Sequence, residues 1–493
     1  MTDIIAGQTT IVETEGAADA GGALPLSPVQ KAVYASGDFV DGITAVAVGQ
    51  FLLFYLSAVV GLSASLAGTA LAVTLVVDAL ADPLIGYISD NTRSRLGRRH
   101  PFMIVGAPLL AVATGLLFSI PKIQSPALLF GYVIAILLLA RFAYSIFFLP
   151  YIALGAELAR DYADRSVLQV FRNFINISGN LVAVVLGFGI FMSGPGGLLN
   201  RAAYSPFGWT CCALIFIAAL VSILGTMGVR DRMYPIAPLS SSAFARLAGE
   251  LRDVFRNHSF LVLLFTIVIF WVAQGTAINL NVYTFTYFWK VPASVIQLVL
   301  IVGTAGLFSG IPLCALLIRK FEKKSVCTWG IVIVCALLIL PPVLFIMKLL
   351  PQNGVPLVVA LCVFAFIQSV VLTSVFISFN SMMVDATDEH DLLFGVRREG
   401  LYFAALSFSG KAALGIGALI AGFALQYIIG FPSDIADHPK QAIPDLTILK
   451  LGLIAGPGAA AISALSAFAM TRYRISKNEL LRIQGELKAR KSV

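Results

Sequence analysis

Charge is scarce in this 493-residue chain. Asp, Glu, Lys and Arg make up 12% of it, against 58% hydrophobic residues, and mean hydropathy is +0.90. A soluble domain carries about 25% charged residues, so a water-exposed globule is excluded and an integral membrane protein is left. Histidine is rarer still: His100, His258, His390 and His438 are the only four, and all fall in expected loops or at span edges. No intramembrane His/Glu/Asp set has metal-ligand spacing and no nucleophile motif occurs, which argues against a membrane-embedded enzyme. The six cysteines (Cys211, Cys212, Cys314, Cys327, Cys335, Cys362) lie in or beside apolar runs without metal-type spacing. They read as small core residues and not as a disulfide framework. No basic start followed by an apolar core opens the chain, so no signal peptide is read. Residues 1–30, acidic and Gly/Ala-rich, are expected to form a disordered cytoplasmic tail. No strand and phosphate-cradling loop accompany Gly415, Gly417 and Gly422, which read as close-packing residues. No long soluble domain is present to act as a receptor.

What is abundant is apolar sequence in runs of roughly 20 residues, as helical membrane spans require. Twelve spans are predicted. The first six cover roughly 40–60, 64–89, 101–120, 127–155, 169–193 and 207–228. The second six cover roughly 259–288, 293–318, 325–348, 355–383, 400–430 and 447–471. Of the 34 Lys/Arg residues, 24 fall in the loops on the side of the termini and in the C-terminal tail. Five (Lys122, Arg201, Lys290, Lys348, Lys440) fall in the opposite loops. The positive-inside rule then puts both termini in the cytoplasm and accounts for the net charge of +8 without nucleic acid. A polar segment at 230–258, with the run LSSSAFARLAGELRDVF, divides an N-terminal half (31–229) from a C-terminal half (259–472), and 473–493 form a cytoplasmic tail. The halves echo each other. The basic loop Arg93–Arg99 has a counterpart in Arg319–Lys324, and the charged loop Glu157–Arg165 has one in Asp385–Glu399. The fold class is therefore an all-α membrane protein of twelve transmembrane helices in two six-helix halves. That is the architecture of the major facilitator superfamily, in which substrate sites lie near the midplane between the halves.

Charges inside apolar runs are costly and mark function. The stretch DALADPLIGYISDNTRSRLGRRHP, residues 78–101, holds two of them, Asp78 and Asp82. Four residues apart, they share a helical face about one turn apart, which suits joint coordination of one small cation. Asp38 and Asp41 lie in SGDFVDGI. A span beginning near Lys31 would bury Asp38 as a substrate-binding residue, whereas one beginning near Gly42 would leave both acids interfacial. Arg141, in LLLARFAYSIFFLP, is mid-span by any counting and must find a carboxylate such as Asp78 or Asp82, or an anionic ligand group. Arg172 opens the fifth predicted span and could snorkel, with Asn173, Asn176 and Asn180 following as a polar stripe. Lys411, in LSFSGKAALGIGALIAG, needs a counter-ion at that depth. Gln274, Asn279, Asn281, Tyr283 and Tyr287 offer hydrogen bonds and ring faces to a hydroxylated ligand or serve as glue between helices.

The pieces GDF at 37–39, VVGLSASLAGT at 59–69, DALADPLIG at 78–86 and TRSRLGRRHPFMIVG at 92–106 resemble the glycoside–pentoside–hexuronide:cation symporters. So does the block MMVDATDEHDLLFGVRREGLYF at 382–403 with the SFSGKAALGIGALIAG that follows. The likeness covers most of the chain. It implies that Asp78 and Asp82 form the cation site, for Na⁺ or H⁺. Ser145 stands in place of a threonine ligand there, and Lys411 faces that site. Asp38 and Arg172 fall at sugar-binding positions. Two positions depart from the family's melibiose permease: its sugar-binding aspartate is here Phe148, and its sugar-stacking tryptophan is Ile152. Arg141 also replaces a small residue.

The expected function is a secondary active symporter importing a glycoside or related sugar with Na⁺ or H⁺ by alternating access, with no cofactor beyond the coupling ion. The expected location is the plasma (inner) membrane. The apolar departures also fit a glycoside with a bulky aglycone, an anionic sugar, or an amphipathic substrate such as a lysolipid or sterol. Charge networks on the cytoplasmic face, with Arg98 and Arg99 in one half and Asp385, Asp388, Arg397 and Glu399 in the other, are expected to bias inward- against outward-facing states.

Overall fold

The computed structural model describes residues 26–159, 162–228, 253–438 and 442–491. Most of these residues are helical, joined by short loops. In the first half the helices are α1 (Pro28–Val46), α2 (Ala64–Asn91), α3 (His100–Leu117), α4 (Pro126–Leu158), α5 (Tyr162–Val184) and α6 (Arg201–Met227). The second half holds α7 (His258–Tyr283), α8 (Ala293–Lys320), α9 (Lys323–Ile346), α10 (Gly354–Phe394) and α11 (Glu399–Phe423). It ends with α12 (Asp445–Leu453), α13 (Ala459–Thr471) and a terminal α14 (Lys477–Lys491). Among the described residues, eleven helical segments are long and apolar enough to cross a membrane. The first span joins them through continuity. It runs from α1 through π turns at Ala47–Leu52 and Tyr55–Val59, although it carries two carboxylates.

Local chemistry sets the ends. Ser27 and Gln30 close a capping box at the start of α1, with Pro28 at its first position. The first span therefore begins near residue 28 and not 40, and the predicted tail loses its last three residues to α1; residues 1–25 lie outside the described residues. Gly61, at φ +90°, ends the same span. Further π turns continue α5, α7 and α11 and link α12 to α13. α10 continues to Phe394, so Asp385 and Asp388 sit on a helix where a loop was expected. The C-terminal tail is likewise the helix α14, held to α10 by Gln484 on Asp388 (3.3 Å) and Arg490 on the carbonyl of Leu392 (2.9 Å). Most of the predicted central segment, 229–252, lies outside the described residues, as do Arg160, Asp161 and Lys440.

The two halves meet unevenly. One large apolar core contains residues of both halves, among them Phe54, Val59, Tyr283, Phe288 and Phe431. A second core, with Phe260, Met383 and Tyr402, is built from the second half alone, at the end carrying the basic loops. At the opposite end α2 and α11 approach closely: a Cβ on Gly422 would lie 2.3 Å from the carbonyl oxygen of Ala64, and one on Gly68 2.7 Å from that of Ala418. The same end is laced by backbone bonds from Asp434 to Ser57 (3.0 Å) and from Ala436 to Ala58 (3.1 Å). Tyr283 adds a bond to the carbonyl of Leu53 (3.4 Å), and the Asn281 amide one to Gln50 (3.4 Å). Asn281 and Tyr283 thus join the halves. The glycine stripe packs as expected, with Gly417 tight on the backbone of Thr276 and Gly415 on Leu75. All six cysteines are free.

Candidate functional site

The site lies where α1, α2, α4, α5 and α11 pass one another at mid-span. On α2, Pro83 follows Asp82. Its ring displaces the helical bond to the carbonyl of residue 79 and loosens the turn that carries both acids. Asp78 is buried and Asp82 partly accessible. From α4, the Ser145 hydroxyl lies 2.6 Å from Asp78 Oδ1 and 2.7 Å from Asp82 Oδ1. From α11, in the other half of the molecule, Lys411 Nζ donates to Asp78 Oδ2 (3.1 Å) and Asp82 Oδ2 (2.5 Å). Two carboxylates, one hydroxyl and one ammonium form a compact cluster, with both Oδ1 atoms on Ser145 and both Oδ2 atoms on Lys411. Such a set can exchange the tethered ammonium for a small free cation.

A second cluster sits one to two turns further along α4. Asp38 is buried, ten residues inside α1, and so is not interfacial. Its Oδ2 accepts from Arg172 Nε (2.7 Å) and from the Tyr151 hydroxyl (2.6 Å), and its Oδ1 from Arg172 (3.1 Å). The bidentate fork fixes the guanidinium. Arg172 lies well within α5 and does not snorkel. Its guanidinium also stands 5.6 Å from the centre of the Tyr151 ring, which stacks on Tyr34 at 4.6 Å. Gly37 allows this: a Cβ there would lie 2.3 Å from the Tyr151 ring.

Between the clusters lies a carboxylate that sequence reasoning left undecided. Asp41 accepts from the Tyr144 hydroxyl (2.6 Å) and the Asn176 amide (2.8 Å), and Asn180 supports Asn176. Phe148 is half-buried, its ring 4.9 Å from that of Tyr144 and 5.6 Å from that of Tyr151, while Ile152 is 39% exposed. Arg141 has Asp78, Tyr144, Asp41 and Asp82 as its electrostatic neighbours. It forms no ion pair with Asp78 or Asp82, one of the two partners expected for it. Lys411 and Ser145 already occupy their oxygens.

At the basic end each half has charge pairs of its own among the described residues. Arg98 (2.7 Å) and Arg99 (3.1 Å) converge on Glu157, and Arg99 also pairs with Asp90. In the second half, Lys323 pairs with Asp385 (2.8 Å), and Arg397 bridges Asp388 (3.2 Å) and Glu399 (3.3 Å). Lys31 and Asp164 (2.8 Å), not singled out from sequence, tie α1 to α5.

Among the described residues, six spans in each half, with charged side chains gathered at mid-span, have the architecture of a multi-pass membrane carrier. The chain belongs to the MFS/sugar transport protein family, whose model matches residues 33–477. Membership makes it a transporter and not an enzyme. It is 24% identical over 449 residues to an isoprimeverose transporter of Lactiplantibacillus pentosus, covering 90% of this chain and 88% of that one. A shorter stretch of 161 residues, 32% of this chain and 30% of the other, is 38% identical to an uncharacterized symporter of Synechocystis sp.. The fold matches the crystal structure of a D-xylose-proton symporter with a TM-score of 0.61 at 16% identity, covering 91% of this chain and 97% of that one.

Proposed function

We propose that the chain is a cation-coupled symporter that imports a glycoside or related sugar across the plasma (inner) membrane, with both termini in the cytoplasm. The observation that carries this reading is the Lys411 bridge. A cation of the second half occupies the acid pair of the first (3.1 and 2.5 Å). A Na⁺ or H⁺ arriving at Asp78, Asp82 and Ser145 displaces that ammonium, so cation occupancy and the relation between halves change together. The Asp38–Arg172–Tyr151 cluster offers charged hydrogen-bonding groups and a ring face, the chemistry that holds sugar hydroxyls. The name of the isoprimeverose relative supports a sugar substrate. Substrate and cation then tighten each other's binding by one common factor.

An alternating-access cycle in an inward-facing state is supported by two features: the halves are joined at one end, and among the described residues the printed pairs of Arg98, Arg99, Asp385, Asp388, Arg397 and Glu399 at the basic end each lie within one half. Uptake into proteoliposomes tests the reading. Imposed Na⁺ or pH gradients should drive accumulation of a radiolabelled glycoside, and Asp82→Cys should abolish the dependence on both. Undiminished Na⁺ and H⁺ coupling in that variant would reject the cation site.

A further inference from the structure

His390 lies in the charged run DATDEHDLLF, where α10 leaves its apolar span and packs on α14. The residue is 2% exposed. Its ring lies 4.6 Å from that of Phe394 and 5.5 Å from that of Tyr402 on α11, which meets it edge to face. Its Nδ1 is buried and has no hydrogen-bond partner among the described residues. Two neighbours also leave a buried polar atom unpartnered there: Tyr402 its hydroxyl and Glu389 its Oε2. Glu389 Oε1 accepts from Ser259 at the start of α7 (3.1 Å). Three charged groups face the ring: Asp391 on α10, Asp253 on the turn before α7 and Arg398 just before α11. Asp253 pairs with Arg256 (3.9 Å), and Asp388 is taken by Arg397 (3.2 Å) and Gln484 (3.3 Å). From α14, Arg490 goes to the carbonyl of Leu392 (2.9 Å). Burial away from water holds the imidazole's proton affinity below its ordinary value, ahead of the attraction of Asp253 and the repulsion of Arg398.

We propose that His390 is a proton-operated latch in the second half: neutral, it seats α10 against α11, and protonated, it parts them. An imidazolium carries a full charge and an N–H on both ring nitrogens, and the walls of this pocket are the rings of Phe394 and Tyr402. Cation–π attraction to such rings is weaker than the cost of desolvating an unpaired charge. Protonation therefore favours an opened arrangement in which water reaches the ring. The sign follows from the neutral burial. The contact is complete above the ordinary imidazole value of about 6.5 and is lost as pH falls below it. At pH 5.5 an opened imidazole is about ten parts protonated to one part neutral, so opening should be about tenfold more frequent than at pH 7.5. The helix that parts from His390 also carries Lys411, nine residues beyond Tyr402 and about 13 Å along the axis. The latch depends on the second half alone and stands apart from the transport reading.

Hydrogen–deuterium exchange of the purified full-length protein, read by mass spectrometry at pH 7.5 and 5.5, tests the latch. After correction for the chemical exchange rate at each pH, peptides covering 385–405 should open about tenfold more often at pH 5.5. Peptides of α8, which holds no histidine, should not change. In His390→Gln, whose side chain hydrogen-bonds but takes no proton, the difference between the two pH values should disappear. In Glu389→Gln it should persist, which separates the imidazole from the carboxylate beside it. The proposal is overturned if 385–405 opens equally at both pH values in the wild type, if His390→Gln keeps the difference, or if Glu389→Gln abolishes it. The wild-type comparison decides even where a variant fails to fold.

Discussion

Lys411 and Asp82, 2.5 Å apart, join the two halves of the molecule by a charged contact at mid-span. The ammonium occupies the oxygens a coupling cation needs, so it acts as an internal competitor. Lys411→Gln should raise the apparent affinity for the coupling cation by about tenfold, the scale of a charge-assisted hydrogen bond, while slowing substrate accumulation. Cation titrations monitored by thermal shift measure the first effect. Weaker cation binding in that variant would show that Lys411 supports the site instead of competing for it.

Asp38 and Arg172 hold each other with a bidentate fork, and both side chains are largely buried. Asp38→Asn leaves the guanidinium without its counter-charge, at a cost of about 3 kcal/mol. The melting temperature should fall and glycoside binding should be lost, while cation binding at Asp78 and Asp82 persists. Parallel sugar and cation titrations separate the two. Equal loss of both would merge the clusters into one site.

Glu157 receives Arg98 and Arg99 on a single oxygen. Glu157→Gln should destabilise the protein by about 1–3 kcal/mol, because two guanidinium groups lose their charged acceptor together. Denaturation curves in detergent give the value. Unchanged stability would show that solvent replaces the carboxylate.

The backbone bond between Asp434 and Ser57 places those residues side by side across the halves. In a background lacking the six native cysteines, Ser57→Cys with Asp434→Cys should form a disulfide on mild oxidation and arrest transport, with recovery on reduction. Full transport by the oxidised pair would mean that this end never needs to part.

Gly422 meets the backbone of Ala64 with no room for a methyl group. Gly422→Ala forces the two helices apart, at about 1–3 kcal/mol. It should raise the rate at which a maleimide reaches a cysteine placed at Ser57. An unaltered labelling rate would show that the crossing tolerates the extra carbon.

The spans and the acid pair were legible in the sequence for related reasons. A membrane demands long apolar runs, and any charge within one stands out. Asp78, Asp82 and Lys411 announced themselves in this way, and they converge. The start of α1 did not. Its first turns are polar and sit against α5 and α6 through Lys31 and Tyr34, so hydropathy puts the boundary too late. α10 overran its predicted end because its last turns pack on α14 and not on lipid. The engagement of Asp41 by Tyr144, and the absence among the described residues of an ion pair for Arg141, depend on the register between α1, α2 and α4. A single chain read linearly does not encode that register. Phe148 and Ile152 were visible as departures from the family pattern.

The seam at the closed end is fastened in part by main-chain groups: Asp434 and Ala436 donate backbone N–H to the carbonyls of Ser57 and Ala58. Main-chain bonds carry no side-chain identity. The bonds themselves therefore set no side chain at these four positions, although burial keeps Ser57 and Ala58 small. Gly61, held at φ +90° against Asp434, is the residue there that drift should spare. Variation in this seam should therefore fall on the partly exposed Asp434 and Ala436 before the buried Ser57 and Ala58.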